Sequence, residues 1–403
     1  MSEKNGFLNW LGLKSIPDWG KSKTLGVFIG FALMCLAFVT LLIGLFAIFG
    51  LSKALYLYAA GGDQAKDASE AIRNIGLLVV ALVALPFTIY RLKLTTEQNR
   101  HNEDVMFNEK LNDANNDLHA RYQTSEKQED RYVDVWKDDI IRRNGAIDRL
   151  EALAIERPAM APRIARMLCV YLREMTRDYP AEKMPQGLEG FELRKWANDL
   201  EVKRSDMETA AQVLGRLHEQ TKVPATELAI DLTGVNLQAM QLDGLNFEHA
   251  KMNNSALDGA KILFANFTRA QLNYATLVNA SLHRAKLVEA EMRSATLDGA
   301  NLMGVSLEAA DLGYASFNEK TDLRAVHATG ATLRSVNLKD VPNLGDLVTS
   351  AFGDATVMLP DDIKPLVKDK WPTSALNYKE YLKEWALFKK DPDAYIPPQL
   401  RKE

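Results

Sequence analysis

A chain of 403 residues, 47% apolar and 25% charged, is too long for one core and fits two or three domains, so disorder as a whole is excluded. With 49 basic and 53 acidic residues the formal charge is −4, which leaves no global positive field to hold nucleic acid. The two cysteines, Cys35 and Cys169, are too few and too far apart for a disulfide framework or a four-ligand zinc site, and they suit a reducing compartment.

The apolar residues are concentrated at the front. In segment 1–23, Phe7, Leu8, Trp10, Leu11 and Leu13 stand beside lysines, the pattern of an interfacial segment, with a disordered tail as the alternative. Thr24 to Ser52 holds no charged residue and exceeds the ~20 residues a bilayer core requires, whereas the apolar part of a signal peptide is shorter. A second uncharged run, Asn74 to Tyr90, has 17 residues and includes Pro86. With the turn residues Gly61-Gly62-Asp63 between them, the two runs predict a two-span transmembrane hairpin over 24–91. Lys4, Lys14, Lys21 and Lys23 precede the first span, and Arg91, Lys93, Arg100 and Lys110 follow the second, against Lys53, Lys66 and Arg73 between them. That asymmetry puts both ends in the cytoplasm. Gly26 and Gly30 form a G-x-x-x-G that permits close helix packing, within the hairpin or between copies.

Residues 92–139 are polar, and from Thr95 to Asp138 they lack proline and glycine, so a connecting helix is expected throughout. Phe107, Leu111, Ala114 and Leu118 follow 4-3-4 spacing, but Arg121 and Ser125 continue that seam, which supports a coiled coil only weakly. A helical domain is expected over 140–222. Its apolar stripes are Ile147, Leu150 and Ala154; then Ile164, Met167, Leu168, Tyr171 and Leu172; then, after a cap at Ser205, Met207, Ala210, Ala211, Val213 and Leu214.

After Pro224 the period changes to five. From Leu232 to Phe317 every fifth residue is large and apolar, eighteen in a row, which an apolar background of 47% would produce about once in a million times. Two places earlier stands a mostly small residue, twelve times alanine, and the residue in between is mostly polar. Residues two apart on an extended chain share a face, so each unit buries one small and one large side chain and then turns a corner. A helix is excluded, because steps of five would scatter the leucines around its circumference by about 140° each. Stacked coils of a solenoid over 229–341 remain. A further four units, Leu323, Ala328, Leu333 and Leu338, follow in a phase shifted by one, with the insertion in 318–321.

The repeat, as in Ala295-Thr-Leu-Asp-Gly-Ala-Asn-Leu-Met-Gly304, resembles the pentapeptide-repeat family. The resemblance implies a right-handed quadrilateral β-helix with four units per coil. The segments Arg143–Ala154, Asp206–Arg216 and Phe352–Pro360 are similar to parts of bacterial proteins that join a two-span anchor, a helical middle and pentapeptide repeats. A multidomain fold class follows: an α-helical transmembrane hairpin and helical middle region, then the pentapeptide-repeat solenoid. By the same resemblance the protein is expected in the bacterial inner membrane, multi-pass, with its C-terminal domains cytoplasmic.

No nucleotide-binding, zinc-protease or nucleophile-elbow motif occurs in a suitable context, so no catalytic residue, cofactor or metal site is expected. The expected role is a membrane-tethered, non-catalytic interaction or scaffold module, with the lipid bilayer and an unidentified protein, or a second copy, as partners. The competing role is a DNA mimic that regulates a topoisomerase or another nucleic-acid enzyme. From Ala229 to Asp340 the chain has twelve acidic and ten basic residues, a net of −2, far short of a duplex imitator, and no nucleic-acid partner is expected. At four units per coil, residues 20 apart stack, so Leu263, His283 and Met303 form an outward column with Phe264 and Arg284 beside it. This is the candidate interaction patch, open to a partner or covered by the chain itself. Met207–Leu217 is expected to cap the first coil, and the 342–403 tail, with Trp371, Tyr378, Tyr381 and Trp385, the last.

Overall fold

The computed structural model describes residues 23–61, 64–128, 131–185 and 187–401. The chain divides into two units, Met1–Phe107 and Asn108–Glu403. In the first, helix α1 spans Lys23–Ala60, and helix α2 begins at Gln64 and runs on to Asp117. Among the described residues one stretch, Leu42–Ala60, is long and apolar enough to cross a membrane. The run Asn74–Tyr90 lies within α2, where several side chains, from Leu78 to Pro86, fall outside the described residues, as does the interfacial segment before Lys23. Gly26 and Gly30 lie on α1, and what packs against them is likewise outside the described residues. Closer to the turn, α1 and α2 approach where a Cβ on Gly50 would stand 3.1 Å from Ile75 Cδ1, with Ala47, Ala54 and Ala68 buried.

The second unit departs from expectation at once. The polar stretch is helical only to Asp117; Arg121–Gln128 (β1) and Arg131–Asp138 (β2) form an antiparallel hairpin in which Arg121 lies opposite Asp138 and Gln128 opposite Arg131. Freedom from proline and glycine permitted a helix, but Tyr132, Val133, Val135 and Trp136 are β-branched and aromatic, and they favour the extended chain. The seam residues Leu111, Ala114 and Leu118 are buried. The end of α2 is held to the next helix by Asp117, which accepts from Arg142 and Arg149. Its contacts therefore lie within the chain.

Helices α3 (Ile140–Glu156), α4 (Ala161–Asp178), α5 (Gly190–Asn198) and α6 (Ser205–Thr221) follow. Asp139 caps α3 by accepting from Arg142 N–H at 3.0 Å. The apolar stripes fold inward, with Ile147, Leu150, Ala154, Ile164, Leu168, Tyr171, Leu172 and the α6 stripe buried, while Met167 stays half-buried. α6 packs on both α3 and α4. Ser205 is the first helical residue rather than the cap; Arg204 holds the cap position in extended backbone and turns its side chain inward.

From Ile230 the chain coils. Parallel bridges join residues 20 apart, Asp231 to Lys251 through Thr296 to Ser316, so one coil holds four five-residue units. From Leu232 to Leu312 each large residue donates its N–H to the next coil, as Leu232 does to Lys251 O at 2.7 Å, and wall residues donate back, as Lys251 does to Ile230 O at 2.9 Å. Of the eighteen large residues all but Phe317 are buried, and the alanine ladder lies buried beside them. From Leu232 to Leu312 every unit turns on a residue in the left-handed region two places after the large one, including Ala239, Phe264, Tyr274 and Arg284, with Gly244 and Gly304 where glycine meets that demand without strain. The phase shift is real: bridges change from a step of 20 at Thr296–Ser316 to 21 at Asn301–Asp322. Side chains seal the extra residue, since Gly299 N–H donates to Asn318 Oδ1 (2.9 Å) and Thr321 Oγ1 (3.2 Å), and Thr321 Oγ1 donates to Leu297 O at 3.0 Å.

Candidate interaction surface

A solenoid is open at both ends, and unpaired edge groups there template aggregation. In the first coil the four wall residues Asp231, Asn236, Gln241 and Asn246 have no preceding coil to receive their N–H groups. Each finds an acceptor in the helical domain: Cys169 Sγ at 3.4 Å, Thr176 Oγ1 at 3.1 Å, Glu208 Oε1 at 2.8 Å and Gly215 O at 2.9 Å. Two come from α6, as expected, and two from α4, which sequence reasoning passed over. Gly215 permits the approach, because a Cβ there would stand 2.7 Å from Leu245 Cβ. Burial pushes the Cys169 thiol up to about 11, so it stays protonated in its acceptor role.

At the other end the tail extends the coil. Thr332–Leu333 (β3) pairs in parallel with Phe352–Gly353 (β4), and Asn337 bridges Met358. Trp371 and Tyr381 are buried; Trp371 Nε1 donates to Ala351 O and Trp385 Nε1 to Gly330 O, both at 2.8 Å. A C-terminal helix, α7 (Tyr378–Lys390), brings Tyr381 and Phe388 onto Phe352. Tyr378, expected in this cap, remains exposed and receives Arg293 and Arg334 at 5.3 and 5.2 Å from its ring centroid.

With the ends sealed, the lateral faces are what the solenoid offers. α5 covers one corner column, where Leu193 and Ala197 pack on Val278. A Cβ on Gly259, in the adjacent column of the same corner, would stand 2.5 Å from Ala197 O. α7 covers the last coils at Gly330 and Thr332.

The structure does stack the candidate patch. Phe264 N–H donates to His283 O at 3.1 Å and Arg284 N–H to Met303 O at 3.0 Å, which places Leu263, His283 and Met303 in one column. The Phe264 ring meets His283 edge-on at 5.9 Å. Phe264 is 54% exposed and Arg284 is exposed, whereas Leu263, His283 and Met303 are half-buried between neighbouring coils. His283 Nδ1 is buried without a hydrogen-bond partner. Sequence reasoning missed Tyr274 and Tyr314, exposed at another corner two coils apart; the signal was available, since both occupy the turn position that Phe264 occupies.

What this geometry defines is a β-helix of five-residue units closed at both ends by helical and irregular segments. The model of the family described as pentapeptide repeats matches residues 230–262, 265–304 and 300–340 in eight copies, so the solenoid segment is built of pentapeptide repeats. Among solved structures, the chain is similar to HetL of the cyanobacterium Nostoc sp. strain PCC 7120, a pentapeptide-repeat protein involved in heterocyst differentiation regulation. The identity is 24% over 33% of this chain and 64% of HetL, under two thirds of its length, with a TM-score of 0.17. A pentapeptide-repeat protein of the Arabidopsis thaliana thylakoid lumen shares 24% identity over 38% of this chain and 87% of its own, with a TM-score of 0.16. Full-length QnrB1, a plasmid-mediated fluoroquinolone resistance protein, shares 16% over 36% and 75%, with a TM-score of 0.15. No curated protein matches the chain.

Proposed function

We propose that this chain is a non-catalytic interaction module, a right-handed quadrilateral solenoid held at a bacterial inner membrane by its N-terminal helices and presenting one lateral face to a protein partner in the cytoplasm. The observation that carries the reading is the exposure of Phe264 on a solenoid whose ends and neighbouring column are covered by the chain itself. A bulky residue in the left-handed region costs roughly 1–2 kcal/mol. The turns from Leu232 to Leu312 all make that demand, so what marks Phe264 is the large apolar ring it leaves in water. Covering what remains exposed of it and of the half-buried Leu263 favours a complex by on the order of 1–3 kcal/mol.

The test is cross-linking of the full-length protein in its own membrane fraction, comparing wild type with Phe264→Asp/Met303→Asp. Loss of a co-purifying band at unchanged melting temperature is the expected result. A lower melting temperature with the band retained would mean the column is an internal contact, and the reading would fall. The tether makes its own prediction from the charge asymmetry around the two spans. A reporter active only outside the cytoplasm, fused after Glu403, is expected to stay silent, and activity would overturn the orientation.

A further inference from the structure

A second lateral feature has a different chemistry. Between α5 and the solenoid wall lies a cleft of about 430 Å³. Three cations from three separate places converge on it: Arg194 from α5, Lys261 from the wall, and Lys320 from the segment that absorbs the phase shift. None of the three makes an ion pair among the described residues. Elsewhere on the repeats Arg269 pairs with Glu289 and Arg293 with Asp311, while Arg284 stands alone as these three do. The carboxylate lining the cleft, Asp322, is already occupied by Arg324 at 2.6 Å, whose hydrogen bond holds that carboxyl below its ordinary range. Among the described residues the cleft is therefore lined by three cations and one carboxylate, and that carboxylate is paired with Arg324.

The rest of the lining is polar and positioned. Asn279 Nδ2 donates to Asn198 Oδ1 at 2.7 Å, tying the helix to the solenoid, and Ser281 and Asn301 stand in register on the wall beside Lys261. The close approach of Ala197 O to Gly259 fixes the end of α5, so the cleft is formed before anything enters it. Pre-formed clefts of this size hold small molecules, and convergent cations hold anions through charge-assisted hydrogen bonds.

We propose that this cleft binds a small phosphate-bearing molecule, with Arg194, Lys261 and Lys320 on the phosphate and Asn279, Ser281 and Asn301 on its hydroxyl or ester oxygens. The volume is too small for a folded domain or a duplex. The cleft lies apart from the Phe264 column, so the proposal stands independently of the partner reading.

The experiment is calorimetric titration of the full-length protein in detergent with inorganic pyrophosphate, and with citrate as an anion lacking phosphate. Saturable pyrophosphate binding is expected, weakened at least about tenfold in Lys261→Gln/Lys320→Gln and unchanged in the control Lys251→Gln/Lys286→Gln, whose lysines are exposed on other walls. Unliganded melting curves check that both variants fold as wild type does. No saturation by about 10 mM pyrophosphate would overturn the proposal, as would an equal loss in the control pair. Citrate binding as tightly as pyrophosphate would overturn the assignment to phosphate.

Discussion

Trp371→Ala is expected to cost the solenoid about 3–5 kcal/mol, the range for emptying a buried aromatic site. The indole is buried, donates to Ala351 O at 2.8 Å, and lies on the backbone of Gly353. Gly353 stands opposite Leu333, in the register position where earlier coils carry a large core residue. A Cβ at Gly353 would come within 2.6 Å of Trp371 Cζ3, so the ring occupies the space a core side chain of this last turn would take. One tryptophan from the tail thus completes the ladder. The reciprocal change, Gly353→Ala, is expected to cost about 1–3 kcal/mol by overpacking. Together the two changes should cost less than their sum, because the new methyl enters the vacated site. Urea unfolding of the full-length protein reads all three; a Trp371→Ala loss under about 1 kcal/mol, or strict additivity, would show that the ring merely lies on the surface.

How legible each part was depends on how many residues repeat the same instruction. The five-residue ladder is written eighteen times in one phase, so Leu232 to Phe317 declare the coil, and even the one-residue shift shows as a change of phase. The hairpin Arg121–Asp138 is written once, in sixteen described strand residues with no glycine, and composition alone could not separate it from a polar helix. The caps were half legible: the α6 stripe announced a helix with an apolar face, but the acceptors Cys169 and Thr176 serve single amide groups and leave no pattern. The patch at Phe264 could be placed from a period of 20, whereas the cleft at Arg194, Lys261 and Lys320 joins residues far apart in sequence and required α5 to be docked first. Gly353 lies beyond the ladder read from the sequence, which ended at Leu338, and only Trp371 shows what fills its place in the core.

The helical cap stands on a buried ion network, and Asp206→Ala is expected to break it at a cost of about 3–5 kcal/mol. Arg204 donates to both oxygens of the fully buried Asp206, at 3.1 and 2.6 Å, and to Asp138 at 2.6 Å. Tyr171 donates to Asp206 at 2.7 Å, and Arg143 to Asp138 at 2.6 Å. Removing the Asp206 carboxylate strands Arg204 and the Tyr171 hydroxyl in the interior, a mechanism that ranks among the most destabilising single changes. The consequence should reach the solenoid edge, because α4 and α6 supply the acceptors for the first coil. Hydrogen exchange is expected to quicken at the amides of Asp231, Asn236, Gln241 and Asn246 and to stay slow at Asn266 and Gln271, whose N–H groups donate to the coil before them. Unchanged exchange at the first coil would mean that the cap does not depend on the network. Acid should act on the same network. Burial alone would raise Asp138, but hydrogen bonds from Arg204 and Arg121 and the charge of Arg143 outweigh it and hold that carboxyl below its ordinary value. Its stabilising contribution is therefore complete above an unfolded carboxylate value of about 4 and is lost as pH falls through the lower folded value. First-coil protection should thus hold from neutrality down to about pH 4 and fail below it, and a loss that began between pH 5 and 7 would place the sensitivity in some other group.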